Sequence, residues 1–311
     1  MKKNTILAII FMIIVIVGCV GAYFYFTQEA EVVVDEPQIS TDALYTLDSY
    51  PRVDGSTATQ PLGLAFKQNF TGEDIASEDY VVSKTHNAYV KLINKEVDLI
   101  LVTSPSEDEL KLAKDKGMEL EVIPVVKEGF VFYVNSNNKV DNLTTKQIQQ
   151  IYSNRITNWK TVGGADQKIL AYQRPVNSGS QTGMLSLVMK DVKIAEAPTE
   201  HIAASMADII NFVSTYDNAE NAIGYSYYYY ATTMFQDIDK DIANGIKLLS
   251  VDGVKPNAET IRNGSYPFTT AYYIVIDKAA DENSPARKLA NYMLSDRGQK
   301  VATEAGYVSV K

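Results

Sequence analysis

From Arg52 onward the chain alternates short apolar runs with amphipathic stretches, and this alternation most restricts what it can fold into. The run at residues 97–103 (VDLILVT) is too short for a buried helix and suits a strand covered on both faces. Further strands are expected to end near Val53 and to cover 80–83, 120–126, 129–135, 169–172, 222–230, 246–251 and 270–277. Helical spacing is expected over 61–70, from a Thr85 cap to Ile93, over 107–116, after Thr144 or Thr145, over 205–215 and over 284–305. Gly117, Gly163–Gly164 and Gly306 supply the stops. Strands and helices in alternation with short connections predict an α/β fold with a mostly parallel sheet. In such sheets ligands bind beyond the carboxyl ends of the strands.

Two segments at such positions carry chemistry. Residues 172–183 (YQRPVNSGSQTG) place Arg174 ahead of the turn Ser178-Gly179-Ser180, and helical spacing follows. A fixed guanidinium, hydroxyls and bare amides then face one point, which suits holding a small oxyanion rather than transforming it. Residues 54–61 (DGSTATQP) have the same character. Two such loops on one chain predict a receptor for phosphate or a similar tetrahedral anion.

The 311 residues suit two domains beyond an N-terminal segment. Residues 6–26 are uncharged and mostly apolar and follow Lys2 and Lys3. At helical rise they span roughly 30 Å, enough to cross a bilayer core with the remainder outside. Ile16-Val17-Gly18-Cys19 resembles a lipobox, in which Cys19 would be lipidated, whereas the apolar stretch continuing to Phe26 favours an uncleaved anchor. Both readings put the folded part on the outer face of the cytoplasmic membrane, joined by an acidic tether over 27–47. Cys19 is the only cysteine, so the folded part has neither a disulfide nor thiol chemistry. A net charge of −9 argues against nucleic acid and anionic lipid as partners. It does not argue against an anion in a desolvated pocket, because distant surface charge is screened over about 10 Å.

The segments DGSTATQP, VDLILVTSP, LTTKQIQQIYSNRITNWKTVGG, QRPVNSGSQTG, AIGYSYYYY and IRNGSYPFTTAYYIVI occur in this order. In that order they resemble the phosphate-binding proteins of bacterial ABC transporters. The resemblance covers about residues 49–311 and implies the two-lobed periplasmic-binding-protein fold of the second type. It implies one lobe from 48–127 with 224–311, a second from 128–223, hinges near Glu128 and Ile223, and a ligand cleft between them. Carried over residue by residue, Ser56, Thr57 and Thr59 become donors from the first loop and Thr85 a hydroxyl at the next helix start. Arg174 matches the family's arginine, and Ser178, Gly179 and Ser180 its second anion loop. Two positions depart from the pattern. Some members carry a carboxylate after the VDLILV-type strand, where this chain has Thr103-Ser104-Pro105, and some an acid within the arginine loop, where it has Val176. Thr103 remains a candidate ligand contact. The resemblance further implies a monomer that delivers its solute to a membrane permease and ATPase, with no cofactor.

The plainer readings are these. Trp159 and the tyrosines of 225–230 pack in the interior, with Tyr225 or Tyr227 at the cleft rim. His86 and His201 stand far apart in no metal-ligand spacing, so no metal site is expected, although His86 can edge the pocket beside Thr85. Glu107, Asp108 and Glu109 form a solvated helix start. An enzyme is not expected: the middle residue of Gly179-Ser180-Gln181-Thr182-Gly183 is not a serine nucleophile, and there is no P-loop, dinucleotide or zinc signature. A membrane-anchored oxyanion sensor of the same fold, with no transport role, is the competing function.

Overall fold

Strand β3 (Leu120–Asn135) organises the molecule, because every other part of the main sheet is attached to it directly or through one or two neighbours. The structure, a computed structural model, describes residues 46–311, and the expected anchor, Cys19 and nearly all of the tether lie outside the described residues. Among the described residues no helix is long and apolar enough to cross a membrane.

The remaining strands are β1 (Val53–Gly55), β2 (Leu99–Val102), β4 (Asn142–Leu143), β5 (Leu170–Ala171), β6 (Ala222–Tyr227), β7 (Ile246–Leu248), β8 (Ser250–Val251), β9 (Thr269–Asp277) and β10 (Val308–Ser309). The main sheet runs β1-β2-β9-β3-β6-β5, with β7 and β10 also on β3; β4 and β8 pair separately. β9 occupies the first part of β3, from Leu120 to Gly129, with a register shift between Pro124 and Val126. A proline cannot donate to the ladder, which suits an irregularity there. β6 takes over from Phe130 to Val134. One continuous strand therefore carries two successive ladders.

The expectation of a mostly parallel sheet is corrected. Only β1–β2, β4–β8 and β5–β6 are parallel; every strand that meets β3 is antiparallel to it. A second difference lies at Lys127-Glu128-Gly129, whose polarity suggests a turn between two strands. The chain instead runs straight on. The buried Glu128 carboxylate accepts hydrogen bonds from the Gly129 amide (2.8 Å) and the Tyr229 amide (3.3 Å), so a charge-bearing residue is satisfied within the ladder.

Other expectations fail locally for similar reasons. Residues 80–83 form no strand, since the Ser83 amide and hydroxyl both donate to the Asp54 carboxylate (2.7 and 2.5 Å). Thr85 is the first residue of the helix Thr85–Ile93, and Lys84 stands in the capping position. The expected helix over 284–305 breaks at Ser295 into Pro285–Leu294 and Asp296–Glu304. There the Ser295 hydroxyl donates to Tyr292 O (2.6 Å) and accepts from the Gly298 amide (3.1 Å).

Aromatic side chains fill the core around β3. Phe130, Phe132, Tyr152, Tyr225 and Phe268 meet ring to ring at centroid separations of 5.4–6.2 Å. Each such burial contributes about 1.5–3 kcal/mol. Trp159 is fully buried and donates from Nε1 to Asn221 O (2.8 Å), the packing role expected of it.

Candidate functional site

Asp54, at the centre of β1, ties two loops together. Its buried carboxylate accepts from the Gly55 amide, from Ser83 and from Lys91 Nζ (2.8 Å). Burial alone would raise its pKa, but these hydrogen bonds, the Lys91 bond foremost, hold it below the ordinary carboxylate value. The consequence is geometric: the turn after β1 and the start of the helix Thr85–Ile93 are held side by side. Gly55 is required in this turn, because a Cβ there would lie 2.8 Å from Leu101 O.

A cavity of 340 Å³ opens where these loops meet the segment after β5. Residues 56–58, 84–87 and Thr103 line one side; 174–180 and 204–206 line the other, with Tyr227 and Tyr230 at the back. Ser56, Thr103 and the 174–180 segment follow the carboxyl ends of β1, β2 and β5, the positions at which α/β sheets offer ligand sites.

Ser56, Thr57, Thr85, Thr103, Arg174, Ser178, Gly179 and Ser180 thus meet in one cavity. Thr59 does not line it. Its side chain is fully buried beneath the loop and donates to Leu101 O (2.5 Å), with Ser56 Oγ 3.0 Å away. It shapes the turn from below. His86 edges the cavity, its Nδ1 lying 3.0 Å from Glu109 Oε1. Glu109 is correspondingly buried and also accepts from the Ser106 amide (2.7 Å), so the solvated helix start expected at 107–109 is corrected at this residue. Of the two rim tyrosines, Tyr227 lines the cavity, while Tyr225 lies behind it with its hydroxyl on Gln181 Oε1.

Arg174 is held by carbonyls. Nε donates to Ala203 O (2.9 Å) and Nη2 to Ala204 O (3.1 Å), whereas the buried Nη1 has no partner. Burial pulls the guanidinium pKa down, and neighbouring tyrosines and Asp208 offset this only in part. A buried cationic donor left unpaired is costly unless something anionic completes it. Thr103 Oγ1 is a second buried polar atom with no well-formed hydrogen bond: Tyr227 is its hydroxyl neighbour, but the Tyr227 hydroxyl is directed to Gly179 O, and Tyr89 fixes the Thr103 backbone by donating to Thr103 O (2.8 Å). Both groups belong to the wall of the same cavity.

Gly179 closes the arrangement. A Cβ there would fall 2.6 Å from Thr103 Oγ1 and 2.7 Å from Thr85 Oγ1, so the turn approaches both hydroxyls as only glycine allows. Tyr227 OH donates to Gly179 O (3.0 Å) from behind. At the mouth, Asn177 Nδ2 donates to Asp108 Oδ2 (2.9 Å), joining the Arg174 loop to the helix Glu107–Asp115.

The sequence reading did not single out Lys84, Asn177, Tyr230 or the turn at 204–206. Lys84 has φ 73° and ψ 162°, a backbone conformation otherwise nearly confined to glycine, and is an exposed residue of the cavity lining. Nothing in residue spacing announces such a conformation. The 204–206 segment is distant in sequence and joins the site as part of the lining and through Ala204 O, which with Ala203 O accepts from Arg174.

A family model described as a PBP superfamily domain matches residues 42–297. The chain is 28% identical over 259 residues to the phosphate-binding protein PstS of Bacillus subtilis, across 83% of this chain and 80% of that protein. It is 30% identical over 234 residues to PstS of Staphylococcus epidermidis, across 72% of this chain and 67% of that one. Among solved structures, an ABC-type phosphate transport receptor from Vibrio cholerae superposes with a TM-score of 0.60 at 24% identity, covering 82% of this chain and 98% of that chain.

Proposed function

The chain belongs to the PBP superfamily, in the family of bacterial phosphate-binding proteins, and from that premise we propose that it captures inorganic phosphate, or a closely related oxyanion, for an ABC transporter. The observation that carries this reading is the pair of buried, unpartnered polar atoms, Arg174 Nη1 and Thr103 Oγ1, in the wall of one small cavity. A tetrahedral anion supplies what both lack. The guanidinium gives it a charge-assisted contact, and hydroxyls from Thr57, Thr85 and Ser180 surround its remaining oxygens.

In this reading residues 48–127 with 224–311 form one lobe and 128–223 the other. The ligand joins them, and the chain crosses between them near Glu128 and Ile223. The bond between Asn177 and Asp108 spans the same divide and favours the closed form. Binding is capture and closure, with no bond made or broken. The folded part stands outside the cytoplasmic membrane, held by lipidated Cys19 or an uncleaved helix, and hands its solute as a monomer to a permease and ATPase.

Calorimetry with phosphate, sulfate, molybdate and tungstate, beside Arg174→Ala, tests the proposal. One site is expected, with at least about a tenfold loss on removing the guanidinium, equal to about 1.4 kcal/mol. Unchanged affinity in the variant would sink this placement of the site.

A further inference from the structure

We propose that this pocket does not exclude oxyanions that lack a proton: it takes fully ionised tetrahedral anions as a class, so sulfate competes with phosphate for it. The inference rests on the oxyanion reading above and concerns the chemistry of the wall.

Discrimination against a close competitor needs a repulsive element as well as attractive ones. Phosphate near neutral pH carries an O–H and sulfate does not. A carboxylate in the wall would separate them, because it accepts a hydrogen bond from the first and repels a bare oxygen of the second. No Asp or Glu lines the cavity. The nearest acids are each turned to other partners: Asp54 to Gly55, Ser83 and Lys91, Asp108 to Asn177, Glu109 to Ser106 and His86, and Asp208 to the Ser205 amide.

The two buried atoms that await a partner make no demand for a ligand proton either. Arg174 Nη1 can only donate, and the Thr103 hydroxyl donates or accepts by turning its hydrogen. The charge balance points the same way. Arg174 stands in the wall with its Nη1 buried and unpartnered, Lys84 is an exposed residue of the lining, and no acid lines the cavity beside them. Cationic residues with no wall carboxylate to offset them suit a dianion.

The test titrates the full chain with phosphate and with sulfate at one ionic strength, at about pH 5 and about pH 8. These values bracket the second ionisation of a phosphate, about pH 6 for an ester. Sulfate keeps its charge across that window. Its profile therefore reports the protein alone, and the ratio of the two affinities reports the ligand alone. We expect sulfate within about tenfold of phosphate at the higher pH, a shift of at most about 1.4 kcal/mol. We also expect the phosphate-to-sulfate ratio to rise severalfold with pH. Thr103→Asp, which sets a carboxylate where the unpartnered hydroxyl stands, is expected to weaken sulfate at least about tenfold more than phosphate. Sulfate bound a hundredfold or more weakly by the parent chain, or a ratio that falls with pH, overturns the inference. If phosphate binds through Arg174 while sulfate is rejected, only this inference fails. If neither anion binds, the oxyanion reading fails with it.

Discussion

At Gly179 the absent methyl group sets the separation between the Arg174 loop and the hydroxyls of Thr85 and Thr103. Gly179→Ala forces those hydroxyls away from the turn, since the new carbon would stand under 3 Å from both. The variant is expected to fold, because the clash lies at the cavity and is relieved by opening it. Its phosphate affinity should drop at least about tenfold in calorimetry, and retained affinity would show that the approach of the turn does not matter. Lys84 presents the opposite balance. Its φ of 73° with ψ 162° stores strain of about 1–3 kcal/mol in a non-glycine residue. Lys84→Gly should therefore raise the unfolding free energy by about 1 kcal/mol, after the entropic cost of glycine, while weakening anion binding through loss of an ammonium. A variant that gains stability and keeps full affinity would show that Lys84 has no part in the site.

Among the elements, β3 carries a buried acid, Glu128, whose pKa is raised. Burial pushes the Glu128 carboxyl up from 4.5 to about 7, against hydrogen bonds from the Gly129 and Tyr229 amides. The unfolded chain releases this proton near 4.5 and the folded chain near 7, so between these values the folded state holds the extra proton. The contribution to stability is thus complete below pH 4.5 and is lost as pH rises through about 7. At about 1.4 kcal/mol per unit this amounts to about 3 kcal/mol. Glu128→Gln has no proton to lose. In urea denaturation the parent should lose stability relative to the variant between pH 5 and pH 8 by up to about that amount; parallel pH profiles would refute the assignment. β3 was also the element hardest to read. Polar Lys127-Glu128-Gly129 reads as a turn, and only the buried amides that satisfy Glu128 allow the strand to continue. The same holds at Ser295, where a side chain bonding to both flanking helices interrupts a periodicity that is otherwise unbroken.

For the molecule as a whole, a ligand that joins two parts of one chain must stabilise the folded state by mass action. Phosphate at about a hundred times its dissociation constant should add about 2.7 kcal/mol to the unfolding free energy. Arg174→Ala should lose that increment at the same concentration, whatever its ligand-free stability, in which loss of the bonds to Ala203 O and Ala204 O is set against removal of a buried, unpartnered Nη1. Thermal unfolding with and without phosphate checks both statements, and a parent indifferent to phosphate would contradict the proposed function. The candidate site was largely legible in the residues, since turns rich in Ser, Thr and Gly with one arginine are chemically distinctive wherever they fall. Thr59 was misplaced within the first loop, because a hydroxyl's sequence position does not say whether it faces ligand or a carbonyl of the next strand. Local pattern and side-chain chemistry by themselves determined the α/β class of fold and the two Ser-, Thr- and Gly-rich loops that meet at one cavity. Tertiary structure alone decided the antiparallel ladders on β3, the strained Lys84 and the partners to which Asp54, Asp108 and Glu109 turn. Those outcomes depend on which distant groups pair, a choice made only when burial forces each polar atom to find a partner.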